Sequence, residues 1–113
     1  MKIHECQQLS EEWFELHRGR PTASSFDRIL TAKTLKLSSS HESLIDELIA
    51  DTYYPGPLAE IATPLTKPMA AGIEREPAAR SFYELEHGVK VHQVGFVTTE
   101  DGRFGCSPDA LVN

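Results

Sequence analysis

The stretch Asp101 to Asn113, Asp-Gly-Arg-Phe-Gly-Cys-Ser-Pro-Asp-Ala-Leu-Val-Asn, constrains the fold of this 113-residue chain more than any other. Asp-Gly lies between two strand-like runs, Val94 to Val97 before it and Arg103 to Ser107 after it, and so predicts a β-hairpin. Pro108 removes a backbone donor and restricts Ser107 to an extended conformation, which places Asp109 at the end of a strand. A carboxylate held there suits a metal-dependent site. An ordinary Ser-Pro-Asp turn has the same local sequence.

Upstream of the hairpin the chain reads as helices. Ser10 with Glu11 and Glu12 predicts a helix start, Trp13 and Leu16 share its face, and Gly19 ends it. Thr22 or Ser24 caps a second helix with Ala23, Phe26, Ile29 and Leu30 as its apolar stripe. Between the two, residues 18 to 24 offer guanidinium groups, hydroxyls and helix N-terminal amides. That combination suits a phosphate and simple capping equally well. Residues 31 to 40 are a polar loop. Ser39 with Glu42 fits a capping box for a third helix, whose Leu44, Ile45, Leu48, Ile49 and Tyr53 repeat as one buried face. Pro55-Gly56-Pro57 stops it. A fourth helix follows Thr66, from about Pro68 to His87, with Met69, Ile73, Phe82 and Leu85 on its apolar side and Gly88 as its stop. Pro77 is expected to kink or restart it. Val89 and Val91 then open the strands. The fold class is α+β, N-terminal helices followed by a β-hairpin, in a single domain over residues 1–113.

No apolar run approaches the roughly 20 residues of a membrane helix, and the N-terminus lacks a secretory pattern. Cys6 and Cys106 form neither a disulfide framework nor a zinc spacing, so a cytoplasmic setting is expected. The net charge of −6 argues against nucleic acid. Yet residues 17 to 36 carry Arg18, Arg20, Arg28, Lys33 and Lys36 against Asp27 alone, a segment suited to a polyanion. Solvated helix ends would look the same. Trp13, Phe26 and Cys106 read as core, and His17 and His92 as surface or satisfied core residues.

Trp13, Leu16, Arg18-Gly19-Arg20 and Thr22-Ala23-Ser24 are followed by Gly72, Glu76-Pro77, Arg80, Tyr83-Glu84 and Gly88. Gly105 and Ser107-Pro108-Asp109-Ala110-Leu111 complete the series. This order and spacing resembles the phage lambda-type exonucleases and the YqaJ-like viral recombinase family, within the PD-(D/E)XK nuclease superfamily. The resemblance covers nearly the whole chain. It implies the front half of a restriction-endonuclease-like core, belonging to a Mg²⁺-dependent enzyme with Mn²⁺ as an alternative ion. Such an enzyme hydrolyses double-stranded DNA from an end to supply single strands for recombination.

The resemblance further implies that Asp109 and Glu76 are the catalytic, metal-binding carboxylates, expected to point into one cavity. Ser24 matches a residue that contacts the terminal 5′-phosphate. The family's phosphate-binding Arg falls on His17, with Arg18 beside it, and Arg20 and Thr22 join the implied phosphate set. Implied partners are double-stranded DNA ends, a single-strand annealing protein and further copies of the chain, in a bacterial or phage-infected cell. The superfamily's Glu-x-Lys triplet is absent from the sequence. The expectation is therefore a chain that stops before the strand carrying it and is inactive alone. A non-catalytic DNA-end or partner-binding remnant of the same fold is the alternative.

Overall fold

Phe96 has no exposed surface, and the strand that carries it is the centre of the fold. A computed structural model describes residues 1–113. The central strand, β3 (Phe96–Thr98), lies antiparallel between β1 (Lys2–His4) and β4 (Gly105–Cys106). Ile3 faces Val97 across one edge, and Cys106 faces Val97 across the other. β2 (Val91–His92) pairs with β5 (Leu111–Val112) in a separate two-stranded sheet. The hairpin between β3 and β4 turns where Asp-Gly predicts. Gly102 adopts φ 72°, and the Asp101 carboxylate accepts from the Thr99 hydroxyl at 2.5 Å and the Arg103 amide at 3.1 Å. Val94 to Thr98 are buried without interruption, as befits a strand covered on both faces.

The element order begins with a strand, where a helix was expected first. Lys2-Ile3-His4 is too short to show alternation, and its backbone partner comes from the opposite end of the chain. α1 (Glu11–Glu15) starts as predicted, with the Ser10 hydroxyl accepting the Trp13 amide at 3.2 Å. The turn that follows reaches Gly19 at φ 62°. The second expected helix is a six-residue 3-10 segment, Ala23–Arg28. Ser25 accepts the Thr22 amide at 3.1 Å there, a bond local to the turn.

α2 (His41–Tyr53) follows Ser40 without a side-chain cap, so the box expected from Ser39 and Glu42 does not form. The buried Ser38 takes its place, accepting the Ser40 amide on its hydroxyl at 3.2 Å and His41 Nδ1 on its carbonyl at 2.7 Å. A second 3-10 segment, Leu58–Ile61, leads to α3 (Lys67–His87). Thr66 caps α3 by accepting the Met69 amide at 3.3 Å, and Gly88 closes it at φ 63°. The helix runs unbroken through Pro77, so no new helix starts there. Pro77 removes only the bond to the Ile73 carbonyl, on a helix that faces water over most of its length.

The core is thin, with nine of 113 residues buried. Leu44 is the only fully buried member of the expected α2 face, while Ile45, Ile49 and Tyr53 are exposed. On α3, Phe82 and Leu85 expose 66% and 83% of their surface. A sheet of three strands, each two or three residues long, is too small to cover two long helices. No helix is long and apolar enough to cross a membrane.

Candidate functional site

A cavity of about 470 Å³ opens beside the central strand, walled by Trp13, His17, Thr22, Ser24, Ser107 and Pro108 among its lining residues. Trp13 and His17 are spaced four apart, and their rings approach to 4.3 Å. The His17 ring packs edge-on against Phe96 at 4.7 Å. His17 Nδ1 lies 2.8 Å from the Trp13 carbonyl, which can only accept, so the proton sits on Nδ1 and Nε2 keeps its lone pair. Burial holds the His17 pKa below its ordinary 6.5, with the Trp13 bond opposing. The ring is therefore neutral at neutral pH. Thr22 is buried, with its hydroxyl 3.0 Å from that of the exposed Ser24. A larger groove of about 770 Å³ shares Trp13, His17 and Ser24 with this cavity and extends over Phe14, Leu58 and Met69.

Trp13 does more than fill core. Half-buried, it donates its indole N–H to the Ser107 hydroxyl at 2.9 Å and to the Gly95 carbonyl at 3.1 Å. Ser107 in turn donates to Gly95 at 2.8 Å. The Gln8 amide donates to the Pro108 carbonyl at 3.2 Å. Sequence reasoning overlooked Gln8 and this use of Ser107. The available signal was Trp13 itself, because a buried indole N–H requires an acceptor.

The basic segment serves the fold more than it faces outward. Arg18 spends all five of its N–H donors internally: two bonds go to the Glu15 carboxylate and one each to the carbonyls of Asp51, Tyr54 and Gly56. Arg20 donates to the carbonyls of Gly102, at 2.7 Å, and Leu16. Arg28 is paired with Glu47 at 2.7 Å and bonded to Ser43. A phosphate-binding role for Arg18 is corrected on these grounds, since no donor is left to offer. Lys33 and Lys36 stay exposed on the loop.

Glu15 also accepts the Leu58 amide at 3.0 Å, so it ties α1 to the second 3-10 segment and, through Arg18, to the end of α2. The Arg18 bond and then the Leu58 amide lower its pKa from the ordinary 4.5 to about 2. A depressed carboxylate stabilises the folded state above its ordinary pKa, and that contribution is lost as pH falls through the folded value. Wild-type stability, followed by urea unfolding, is therefore expected to fall between pH 4.5 and 2. Glu15→Gln should be less stable at neutral pH and should show a flatter profile across that window. Identical profiles for the two proteins would remove Glu15 as the cause.

Asp109 is exposed on the bend between β4 and β5. Glu76 lies on α3, half-buried, with Arg80 at 3.5 Å. Neither borders the two cavities around Trp13. No group of three His, Cys, Asp or Glu side chains converges anywhere in the chain. The carboxylate oxygens of Asp109 and Glu76 are nonetheless the donor type that Mg²⁺ takes, and this ion commonly keeps several waters while binding one or two carboxylates.

Comparison with known proteins returned a family and a fold. The model of the YqaJ-like viral recombinase domain matches residues 12–113. The crystal structure of an alkaline exonuclease (LHK-Exo) from Laribacter hongkongensis is similar, with a TM-score of 0.68 and 31% identity over 92% of this chain and 48% of that one. The structure of LHK-Exo in complex with dAMP is similar to the same degree, covering 92% and 49%. This chain thus spans about half the length of the solved structures it matches. Among curated proteins nothing matches.

Proposed function

The chain belongs to the YqaJ-like viral recombinase domain family, and from that premise we propose that it serves a DNA exonuclease acting on duplex ends. In this reading the cavity of His17, Thr22 and Ser24 takes the terminal 5′-phosphate, and Asp109 and Glu76 hold Mg²⁺. The observation that carries it is the shared wall: the cavity is bounded by Ser107 and Pro108, and the next residue is Asp109. A phosphate seated against Ser24 would press on the same bend that bears the metal carboxylate. When bound, Mg²⁺ polarises the scissile phosphate and lowers the pKa of the attacking water.

The chain's own residues do the rest. Ser24 donates its hydroxyl to the phosphate, and Thr22, at 3.0 Å, orients that hydroxyl. His17 has spent Nδ1 on Trp13, so it offers an anion only Nε2, which donates once protonated. Phosphate binding therefore takes up a proton at His17. Affinity for a phosphorylated end is expected to rise as pH falls toward the His17 value of the free protein, which lies below 6.5.

Fluorescence anisotropy with linear duplexes bearing a 5′-phosphate or a 5′-hydroxyl tests this reading. The phosphorylated end is expected to bind more tightly. Ser24→Ala should erase most of the difference, roughly 10- to 100-fold for one hydrogen bond to a charged group. Equal affinity of wild type for both ends would sink the assignment. One observation favours a second reading, a non-catalytic DNA-end-binding module: no third ligand joins Asp109 or Glu76. Tight end binding that neither needs Mg²⁺ nor leads to strand loss when Mg²⁺ is present would select it.

A further inference from the structure

We propose that Trp13 and Ser107 are positioning residues for the Asp109 carboxylate, an inference that rests on the reading of Asp109 as a metal ligand. The Ser107 hydroxyl is used in both directions, accepting from the Trp13 indole at 2.9 Å and donating to the Gly95 carbonyl at 2.8 Å. Its rotation is thereby fixed. Pro108 has one allowed φ, and its carbonyl accepts the Gln8 amide at 3.2 Å. The backbone is therefore clamped immediately before Pro108 and again immediately after it. Gln8, Trp13, Ser107 and Pro108 are all half-buried, whereas Asp109 emerges into solvent.

An exposed carboxylate on a free bend would sweep a wide arc. Here the peptide that leads into Asp109 is held, so the side chain moves only through the φ and χ angles of Asp109 itself. Metal ligands must lie within about 0.5 Å of the productive geometry, and outer partners that orient them typically change metal affinity 10- to 100-fold. The clamp joins two distant stretches. Gln8 and Trp13 precede the bend by 100 and 94 residues respectively. Gly95, whose carbonyl accepts from both Trp13 and Ser107, has no room for a side chain against Cys6, so that anchor cannot drift toward the N-terminal segment.

The test is titration of the full chain with Mn²⁺ alone, followed by electron paramagnetic resonance, with circular dichroism melts on every variant. Asp109→Asn is expected to lose Mn²⁺ binding. Ser107→Ala and Trp13→Phe should weaken it roughly tenfold, and Ser107→Thr, which keeps the hydroxyl, should stay within about twofold of wild type. Ser107 is only half-buried, so the Ala and Thr pair remains readable even where Trp13→Phe fails to fold. Unchanged binding by Ser107→Ala beside lost binding by Asp109→Asn overturns the clamp and leaves the metal reading standing. Equal weakening by Ala and Thr also overturns it, because the hydroxyl would then be irrelevant. Unchanged binding by Asp109→Asn removes the metal reading, and the clamp's purpose with it.

Discussion

Phe96→Ala is expected to cost about 3 to 5 kcal/mol of folding stability, the range for emptying a large aromatic site. Phe96 has no exposed surface in a chain with only nine buried residues. The space it leaves cannot be refilled cheaply. One wall is Gly105, where an added Cβ would stand 2.3 Å from the Phe96 ring, so the ring already touches bare backbone. The rings of His4 and His17 also pack against the Phe96 ring. Small domains are stable by roughly 5 to 15 kcal/mol, and a chain with so little core belongs at the low end. The variant should therefore retain only about 0 to 2 kcal/mol of stability and be marginally folded at room temperature. Fluorescence of the single tryptophan, Trp13, followed in urea reads this directly. Phe96→Leu should recover part of the loss, and a cost below about 1 kcal/mol for the Ala variant would contradict this view of the core.

Gly95→Ala should be the second most damaging change. A Cβ built on Gly95 falls 2.0 Å from the Cys6 carbonyl oxygen and 2.5 Å from its sulfur. The sulfur can rotate away, but the carbonyl cannot without moving the backbone. That backbone continues from β1, and Gly95 donates its own amide to the His4 carbonyl at 3.3 Å. Overpacking typically costs 1 to 3 kcal/mol, and an obstacle made of main chain puts this case at about 3. The same shift carries the Gly95 carbonyl away from Trp13 and Ser107. A urea midpoint within error of wild type would show that the N-terminal segment yields easily.

The legible features are those whose cause lies within a few residues. Ser10 capping α1, Thr66 capping α3, Gly88 ending it and Asp101-Gly102 turning the hairpin each satisfy a local demand with a local group. Arg18 shows the opposite case. Beside Thr22 and Ser24 it reads as a phosphate ligand, but its acceptors at Asp51, Tyr54 and Gly56 lie more than thirty residues downstream. No local pattern announces them. β1 escaped notice for the same reason, and so did the brace on Ser107. The apolar stripes of α2 and α3 were legible as stripes, but periodicity says which residues share a face and not whether anything covers it. His17 was located by the family resemblance, whereas its neutral form and blocked Nδ1 depend on Trp13 and Phe96 packing around it.

The central strand pairs with one neighbour close to it in sequence and another more than ninety residues before it, and this has a consequence in time. β4 follows β3 across a short turn, so the two can meet within microseconds of emerging together. β1 is synthesised first and must wait for the rest. His4 and Thr98, which face each other through a 3.2 Å side-chain contact, are separated by 94 positions. At typical elongation speeds of about 5 to 20 residues per second, Lys2–His4 has no sheet partner for some 5 to 20 seconds. During that interval the helices have only one another and the 3-10 segments to pack on, and the pairing that completes the sheet is the one with the longest loop to close. The step that adds β1 should therefore be the slow one in refolding, and a nascent chain halted before residue 96 has no sheet to which β1 can add.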